Sequence, residues 1–235
     1  MSGVMHSLLI VIPAHNEQKT IADIVSRSKA AVSADVLVVD DASTDNTAAL
    51  ASESGAIVVG HLRCMGAWRA MQTGFLYACQ NRYEHIVTID ADGQHHPEVI
   101  RQLLATVSSD YEVVIGSNPQ RVSLARKVAW AVLRKVSGLP VTDLTSGLRV
   151  YSAASLQLML SRGSSLLEFQ DLGVLMLLNQ NGFKLKEIDV PMSSRSDGKS
   201  RIFYSWLKVF DYMLSTFLLC VAKIDLKSRL GSTAK

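Results

Sequence analysis

Five short Val/Ile/Leu-rich runs, at 8–12, 35–39, 56–60, 85–89 and 112–115, constrain this chain more than any other feature. Between them lie longer segments of helical period, at 17–31, 45–54, 66–80 and 97–108. A strand that is apolar at nearly every position has no face to give to water, so it needs helices packed on both sides of its sheet. Strict alternation of such strands with helices predicts an α/β fold with a mainly parallel sheet flanked by helices. Beyond residue 117 the rhythm changes. A helix is predicted at 121–137, a strand at 147–152, helices at 153–161 and 170–180, and a strand at 183–190. A polar loop at 191–201 and a last helix at about 204–222 follow. No linker, repeat or low-complexity segment interrupts the chain, so one domain is expected over 1–202, with 203–235 as a C-terminal amphipathic helix and basic tail.

Composition narrows the partners. With 235 residues, 48% hydrophobic and 19% charged, the chain is neither disordered nor fibrous. Its 24 basic and 21 acidic residues leave a net charge of +3, without the Lys/Arg crowding of a nucleic-acid binder. Cys64, Cys79 and Cys220 fit neither a zinc site nor a paired framework, and read as reduced, buried thiols of a cytosolic protein. Neither a membrane span nor a signal peptide is expected, although the mean hydropathy is +0.19.

In open α/β sheets ligands lie beyond the carboxyl ends of the strands, so the residues that follow each apolar run carry the functional signal. Here they are acidic: Glu17 after the first run, Asp40 and Asp41 after the second, Asp90 and Asp92 after the fourth. Gathered carboxylates repel and are costly to desolvate unless they bind a cation or hydrogen-bond donors. Asp90-Ala91-Asp92 suits a hard divalent ion, Mg²⁺ or Mn²⁺, whose shell water and phosphate complete. It equally suits a helix N-cap, and Asp40-Asp41 a turn and a cap. His95-His96 reads as a solvated loop, because adjacent imidazoles rarely converge on one metal. The glycine fingerprints of dinucleotide and P-loop sites are absent, as are the serine-hydrolase elbow and the deaminase zinc signature.

Ordered blocks then give the chain a family likeness. Val11-Ile12-Pro13-Ala14-His15-Asn16-Glu17, Val38-Val39-Asp40-Asp41-Ala42-Ser43-Thr44-Asp45, Asp90-Ala91-Asp92-Gly93-Gln94-His95-His96-Pro97-Glu98, Asp143-Leu144-Thr145-Ser146-Gly147-Leu148-Arg149 and Gly182-Phe183 with the basic loop through Arg195 and Lys199 follow in sequence. Together they resemble the inverting GT-A glycosyltransferases of family 2, in the branch of dolichol-phosphate mannose synthase and bacterial polyprenyl-phosphate glycosyltransferases. The resemblance implies a single GT-A, Rossmann-like domain that moves a sugar from a UDP- or GDP-sugar to a polyprenyl phosphate or a cell-envelope glycan. It implies that Pro13, Glu17, Asp40, Asp41 and Asp90 line the donor-nucleotide pocket. Asp90, Asp92 and Gln94 would face Mg²⁺ or Mn²⁺, with Asp92 and Asp171 as catalytic groups and Asp171 a base for a hydroxyl acceptor. Arg126, Arg149, Arg195, Lys199 and Arg201 would contact acceptor or phosphate. Two positions depart from the pattern: Ala67 stands where relatives carry lysine, and Asn118 where lipid-phosphate relatives carry arginine.

From Phe203 to Ile224 apolar residues recur at helical spacing. This stripe suits peripheral contact with the cytoplasmic face of an anionic membrane, or packing on its own sheet or on a second copy in a homo-oligomer. Two other functions fit parts of the pattern. A nucleotidyltransferase that makes nucleotide sugars would need a Gly-rich basic first loop, which Pro13–Glu17 is not. A catalytically degenerate, membrane-associated nucleotide-binding module would tolerate Ala67 and Asn118, but has no use for the retained acids.

Overall fold

A computed structural model of the chain describes residues 8–108, 110–118, 124–165 and 172–193. In chain order the strands are β1 Leu8–Ala14, β2 Asp35–Asp40, β3 Ile57–Gly60, β4 His85–Thr88, β5 Val113–Ser117, β6 Arg149–Ser152 and β7 Leu185–Asp189. The helices are α1 Ile21–Ala31, α2 Thr47–Glu53, α3 Ala67–Gln80, α4 Ile100–Thr106, α5 Leu124–Ser137, α6 Ala153–Met159, α7 Arg162–Ser165 and α8 Leu172–Gln180. A 3₁₀ turn, Pro97–Val99, leads into α4, its proline at a position where the missing amide hydrogen is not needed.

The strands form one sheet in the order β3-β2-β1-β4-β6-β5-β7. β1 pairs in parallel with β2 and β4, β2 with β3, and β5 with β7. Only β6 runs the other way among the described strands, antiparallel to both β4 and β5. The mainly parallel expectation is met, and the direction of β6 is the detail that its apolar run cannot encode. The short α7 is also beyond the periodicity.

All seven residues of β1 are buried, and the two sets of alternate side chains serve two cores. Leu9 and Val11 join Leu37, Val39, Ile86 and Tyr151 under α3, α6 and α8. Leu8, Ile10 and Ile12 join Val36, Val38 and Val87 under α1, α2 and α4. The uninterrupted apolar run is therefore the sum of two period-2 patterns, one for each face. Helix α3 lies close to the sheet at Gly74, where an added Cβ would stand 2.3 Å from Cγ1 of Val11.

Two expectations are corrected. Cys64 and Cys79 are free thiols but exposed rather than buried: Cys64 sits on the loop after β3, and Cys79 on the outer face of α3. His95 is buried rather than solvated, at 5% exposure. Among the described residues no helix is long and apolar enough to cross a membrane. The stripe at 203–224, Cys220, Asp171, Arg195, Lys199 and Arg201 lie outside the described residues.

Candidate active site

Parallel pairing brings the carboxyl ends of β2, β1 and β4 to one edge, so Asp40 and Asp90 end up on either side of β1. The crossing backbone is tied there: the Asp41 amide donates to Ala14 O at 2.8 Å and the Ile89 amide to Val11 O at 3.2 Å. Pro13 is buried within β1, opposite Val39.

The loops after β1 and β2 are laced into one rim. The Asn16 amide donates to Ser43 Oγ at 2.9 Å, the Thr44 amide to Asn16 Oδ1 at 2.8 Å, and the Glu17 amide to Thr47 Oγ1 at 2.8 Å. His15 Nδ1 lies 2.8 Å from Asp41 O. To make this turn Asn16 adopts φ +55°, a conformation asparagine tolerates, and Ala42 adopts φ +58°, which alanine does not favour.

Asp40 and Asp41 have different tasks. Asp40 is buried; its Oδ2 accepts from the Ser43 amide at 3.3 Å, while Oδ1 is buried with no hydrogen-bond partner. An orphaned carboxylate oxygen at a sheet edge can accept from a ligand donor. Asp41 is turned away, into the segment between β3 and α3. It accepts from the Met65 amide at 2.8 Å, the Gly66 amide at 2.7 Å, His61 Nδ1 at 2.7 Å and Cys64 Sγ at 3.2 Å. Burial alone would raise the Asp41 carboxyl, yet the Met65 amide, His61, Cys64 and the Gly66 amide outweigh it and hold the group below its ordinary value. The same bond raises the Cys64 thiol, with burial adding to it. The resemblance places Asp41 in the nucleotide pocket; in the structure its carboxylate ties down residues 61–66. His61 Nε2 continues the chain to Thr73 Oγ1 at 2.8 Å, tying that loop to α3. His61 directly follows β3, so the strand-end rule that finds the acids also reaches it once β3 is included.

On the other side of β1, Asp92 Oδ1 accepts from the Gln94 amide at 3.0 Å, closing a tight turn through Gly93 at φ +76°. Asp92 therefore shapes its own loop and does not cap α4. The Asp90 side chain keeps 39% of its surface exposed, backed by His95, whose Nε2 lies 3.5 Å from Asp90 Oδ2. From behind, the chain leaving β7 pairs with this loop: His95 bridges to Met192, and the Ser193 amide donates to Gln94 O at 2.8 Å. Thr20 at the start of α1 donates to Ala91 O at 2.6 Å, joining the acidic loop to the first rim.

The block from 143 to 149 lies beneath. Asp143 accepts from the Thr145 and Ser146 amides at 2.9 and 3.0 Å, and burial raises its carboxyl against those bonds and against nearby Arg149. Arg149, placed at the acceptor by the resemblance, is fully buried on β6, its Nη2 donating to Leu144 O at 3.3 Å. Arg126 lies on α5. Near Ala67, Arg69 is engaged with Gln72 Oε1 at 2.7 Å, and Arg63 is exposed.

These features define an α/β protein with an acidic strand-end site. The glycosyl transferase family 2 model matches residues 9–145, and the chain belongs to that family and is a glycosyltransferase. It is 35% identical over 168 residues to an undecaprenyl-phosphate mannosyltransferase of Micrococcus luteus, covering 64% of this chain and 68% of that one. It is 30% identical over 212 residues to a polyprenol monophosphomannose synthase of Mycolicibacterium smegmatis, covering 83% and 80%. Among solved structures, the fold matches glucosyl-3-phosphoglycerate synthase from Mycobacterium tuberculosis in complex with Mn²⁺, uridine diphosphate and glucosyl-3-phosphoglycerate. That match has a TM-score of 0.66 at 21% identity, over 92% of this chain and 80% of that one.

Among the described residues no group of three or more His, Cys, Asp or Glu side chains forms a metal cage. Mg²⁺ or Mn²⁺ needs none where one or two carboxylates suffice and water and phosphate supply the rest. Asp90 and Asp92 are such a hard-oxygen pair, and the space an added Cβ on Gly147 would fill is taken by the Asp90 carboxylate, so the residues present fit the ion.

Proposed function

We propose that the chain transfers a sugar, with inversion, from a UDP- or GDP-sugar to a polyprenyl phosphate at the cytoplasmic face of a membrane. The observation that carries this is the pairing of Asp40, with its unsatisfied buried Oδ1, and the outward Asp90 on the two sides of β1. The polyprenyl-phosphate transferases among the relatives and the Mn²⁺ and UDP of the similar synthase support it. Asp40, Pro13 and Glu17 take the nucleoside, and Asp41 acts by holding the 61–66 loop that borders it. Asp90 and Asp92, with Gln94 beside them, would hold Mg²⁺ or Mn²⁺, which would supply positive charge to the departing diphosphate.

A lipid-phosphate oxygen is already anionic, so it attacks the anomeric carbon as the bond to the diphosphate breaks, and the electron pair leaves on the diphosphate. No general base is required for that acceptor. Arg126, Arg195, Lys199 and Arg201 are the cations this reading assigns to acceptor and diphosphate. Arg149, being buried, supports the 143–149 loop instead. Asp171 enters as base only for a glycan hydroxyl, and the stripe at 203–224 is assigned to the membrane surface.

The test is transfer of labelled sugar from UDP- and GDP-sugars to polyprenyl phosphate, with and without Mn²⁺. A lipid-linked product that is lost on chelation and in Asp92→Ala is expected. Turnover that ignores chelation sinks the metal role, and transfer to glycan but not to lipid phosphate sinks the acceptor.

A further inference from the structure

Two residues that lie outside the Asp90-Ala91-Asp92 motif stand against the Asp90 carboxylate. On one side is Gly147, in the loop that leads to β6. A methyl group on its Cα would stand 2.2 Å from Asp90 Oδ2 and 2.4 Å from Oδ1. Gly147 is not among the residues with positive φ, so its backbone does not call for glycine; the space does. On the other side stands His95, 5% exposed, with Nε2 at 3.5 Å from Oδ2. That separation exceeds a formed hydrogen bond, so the imidazole acts as a polar wall.

Both walls are anchored. Gly147 O accepts from Thr88 Oγ1 at 2.8 Å, and Thr88 is the last residue of β4, two before Asp90. His95 is held by its bridge to Met192, and the neighbouring Gln94 carbonyl by the Ser193 amide. A carboxylate on a rotatable stem has several staggered choices. Gly147 leaves the room that this orientation occupies, and the His95 imidazole stands against it.

We propose that Gly147 and His95 are positioning residues that hold the Asp90 carboxylate in the orientation that meets the divalent cation and the donor diphosphate. The inference rests on Asp90 being a ligand of that cation. Residues that orient a metal ligand from behind commonly change affinity by about 10- to 100-fold when altered.

Mn²⁺ titrated into the full chain with UDP and with GDP, free ion followed by electron paramagnetic resonance, measures this directly. The melting temperature of the metal-free protein is recorded alongside. Gly147→Ala is expected to weaken Mn²⁺ by about tenfold or more. Its metal-free melting temperature should barely move, because the atoms nearest the added methyl belong to the end of a partly exposed side chain. His95→Leu should weaken Mn²⁺ as well, and His95→Gln, which restores a polar atom, should recover part of the loss. Asp90→Asn is the reference. If Asp90→Asn loses Mn²⁺ while Gly147→Ala and His95→Leu bind it normally, the positioning role is overturned and the metal reading stands. If Asp90→Asn binds Mn²⁺ normally, both are overturned. Should Gly147→Ala not fold, equal Mn²⁺ affinity in His95→Leu and the unaltered protein overturns the proposal by itself.

Discussion

Ala42 holds φ +58° at the rim of the site, in the left-handed region where a Cβ crowds its own backbone at a cost of about 1–2 kcal/mol. Glycine would avoid that cost and lose about 0.5–1 kcal/mol through greater freedom of the unfolded chain. Ala42→Gly is therefore expected to raise the melting temperature by about 2 °C, and calorimetry showing no rise or a fall would mean that the methyl group is held by contacts that outweigh the strain. Asp41 poses the opposite case, a residue whose removal is costly. Its carboxylate collects the Met65 and Gly66 amides, His61 and Cys64, and bonds to a charged acceptor contribute about 1.5–3 kcal/mol each. Asp41→Asn is expected to destabilise by about 2 kcal/mol and to expose the Met65 and Gly66 amides to hydrogen exchange. Unchanged protection of those amides would refute the anchoring role. The acidity of Asp41 was legible as a dipeptide after an apolar run. Which of the two neighbouring carboxylates keeps an unsatisfied oxygen was not, because adjacent residues at a strand end point to opposite sides, and the choice depends on where 61–66 comes to rest.

Helix α3 and strand β1 show what sequence pattern conveys at the scale of elements. The pattern marks both elements to within a residue or two, since α3 has its apolar face and β1 its unbroken run. Their mutual approach depends on Gly74, which by period alone reads as a tolerated weakness in a helix. In the fold it lets α3 seat against Val11, itself fully buried in the centre of the sheet. With 2.3 Å between an added Cβ and Val11 Cγ1, and no freedom for a central strand to retreat, Gly74→Ala is expected to cost about 1–3 kcal/mol. Urea unfolding should show a lower midpoint at an unchanged slope. Val11→Ala in the same chain should recover part of the loss, because the two sites share one contact. A Gly74→Ala chain as stable as the original would show that α3 can lift without penalty. The direction of β6 escaped the pattern for a related reason: a four-residue buried strand reads the same either way along the sheet.

Across the whole molecule, the shifted carboxyls among the described residues divide into those the fold favours as anions and one it does not. Arg27 lowers Glu98 through a side-chain hydrogen bond. Asp45 and Glu187 are lowered although burial works against them, because Thr47 serves the first and Thr142 and the Asp143 amide serve the second. Burial raises Asp143. A carboxyl that is lowered on folding contributes stability that is fully present above its unfolded value and lost as the pH falls through its folded one. A raised carboxyl does the reverse, so Asp143 opposes the others in acid. Glu187 is the informative member, since it joins β7 to the loop on which Gly147 lies. Its Oε1 accepts from Thr142 Oγ1 at 2.6 Å and from the Asp143 amide at 3.0 Å. Glu187→Gln keeps the shape and removes the charge. At pH 7 it is expected to lower the melting temperature by about 2–4 °C, the equivalent of roughly 1 kcal/mol. Below the ordinary glutamate value of 4.5 the unaltered protein gradually loses the same contribution, so the two melting curves should converge as the pH falls. A gap that persists at pH 3 would assign the loss to packing rather than to charge. A gap that widens in acid would mean that folding raises the Glu187 carboxyl instead of lowering it.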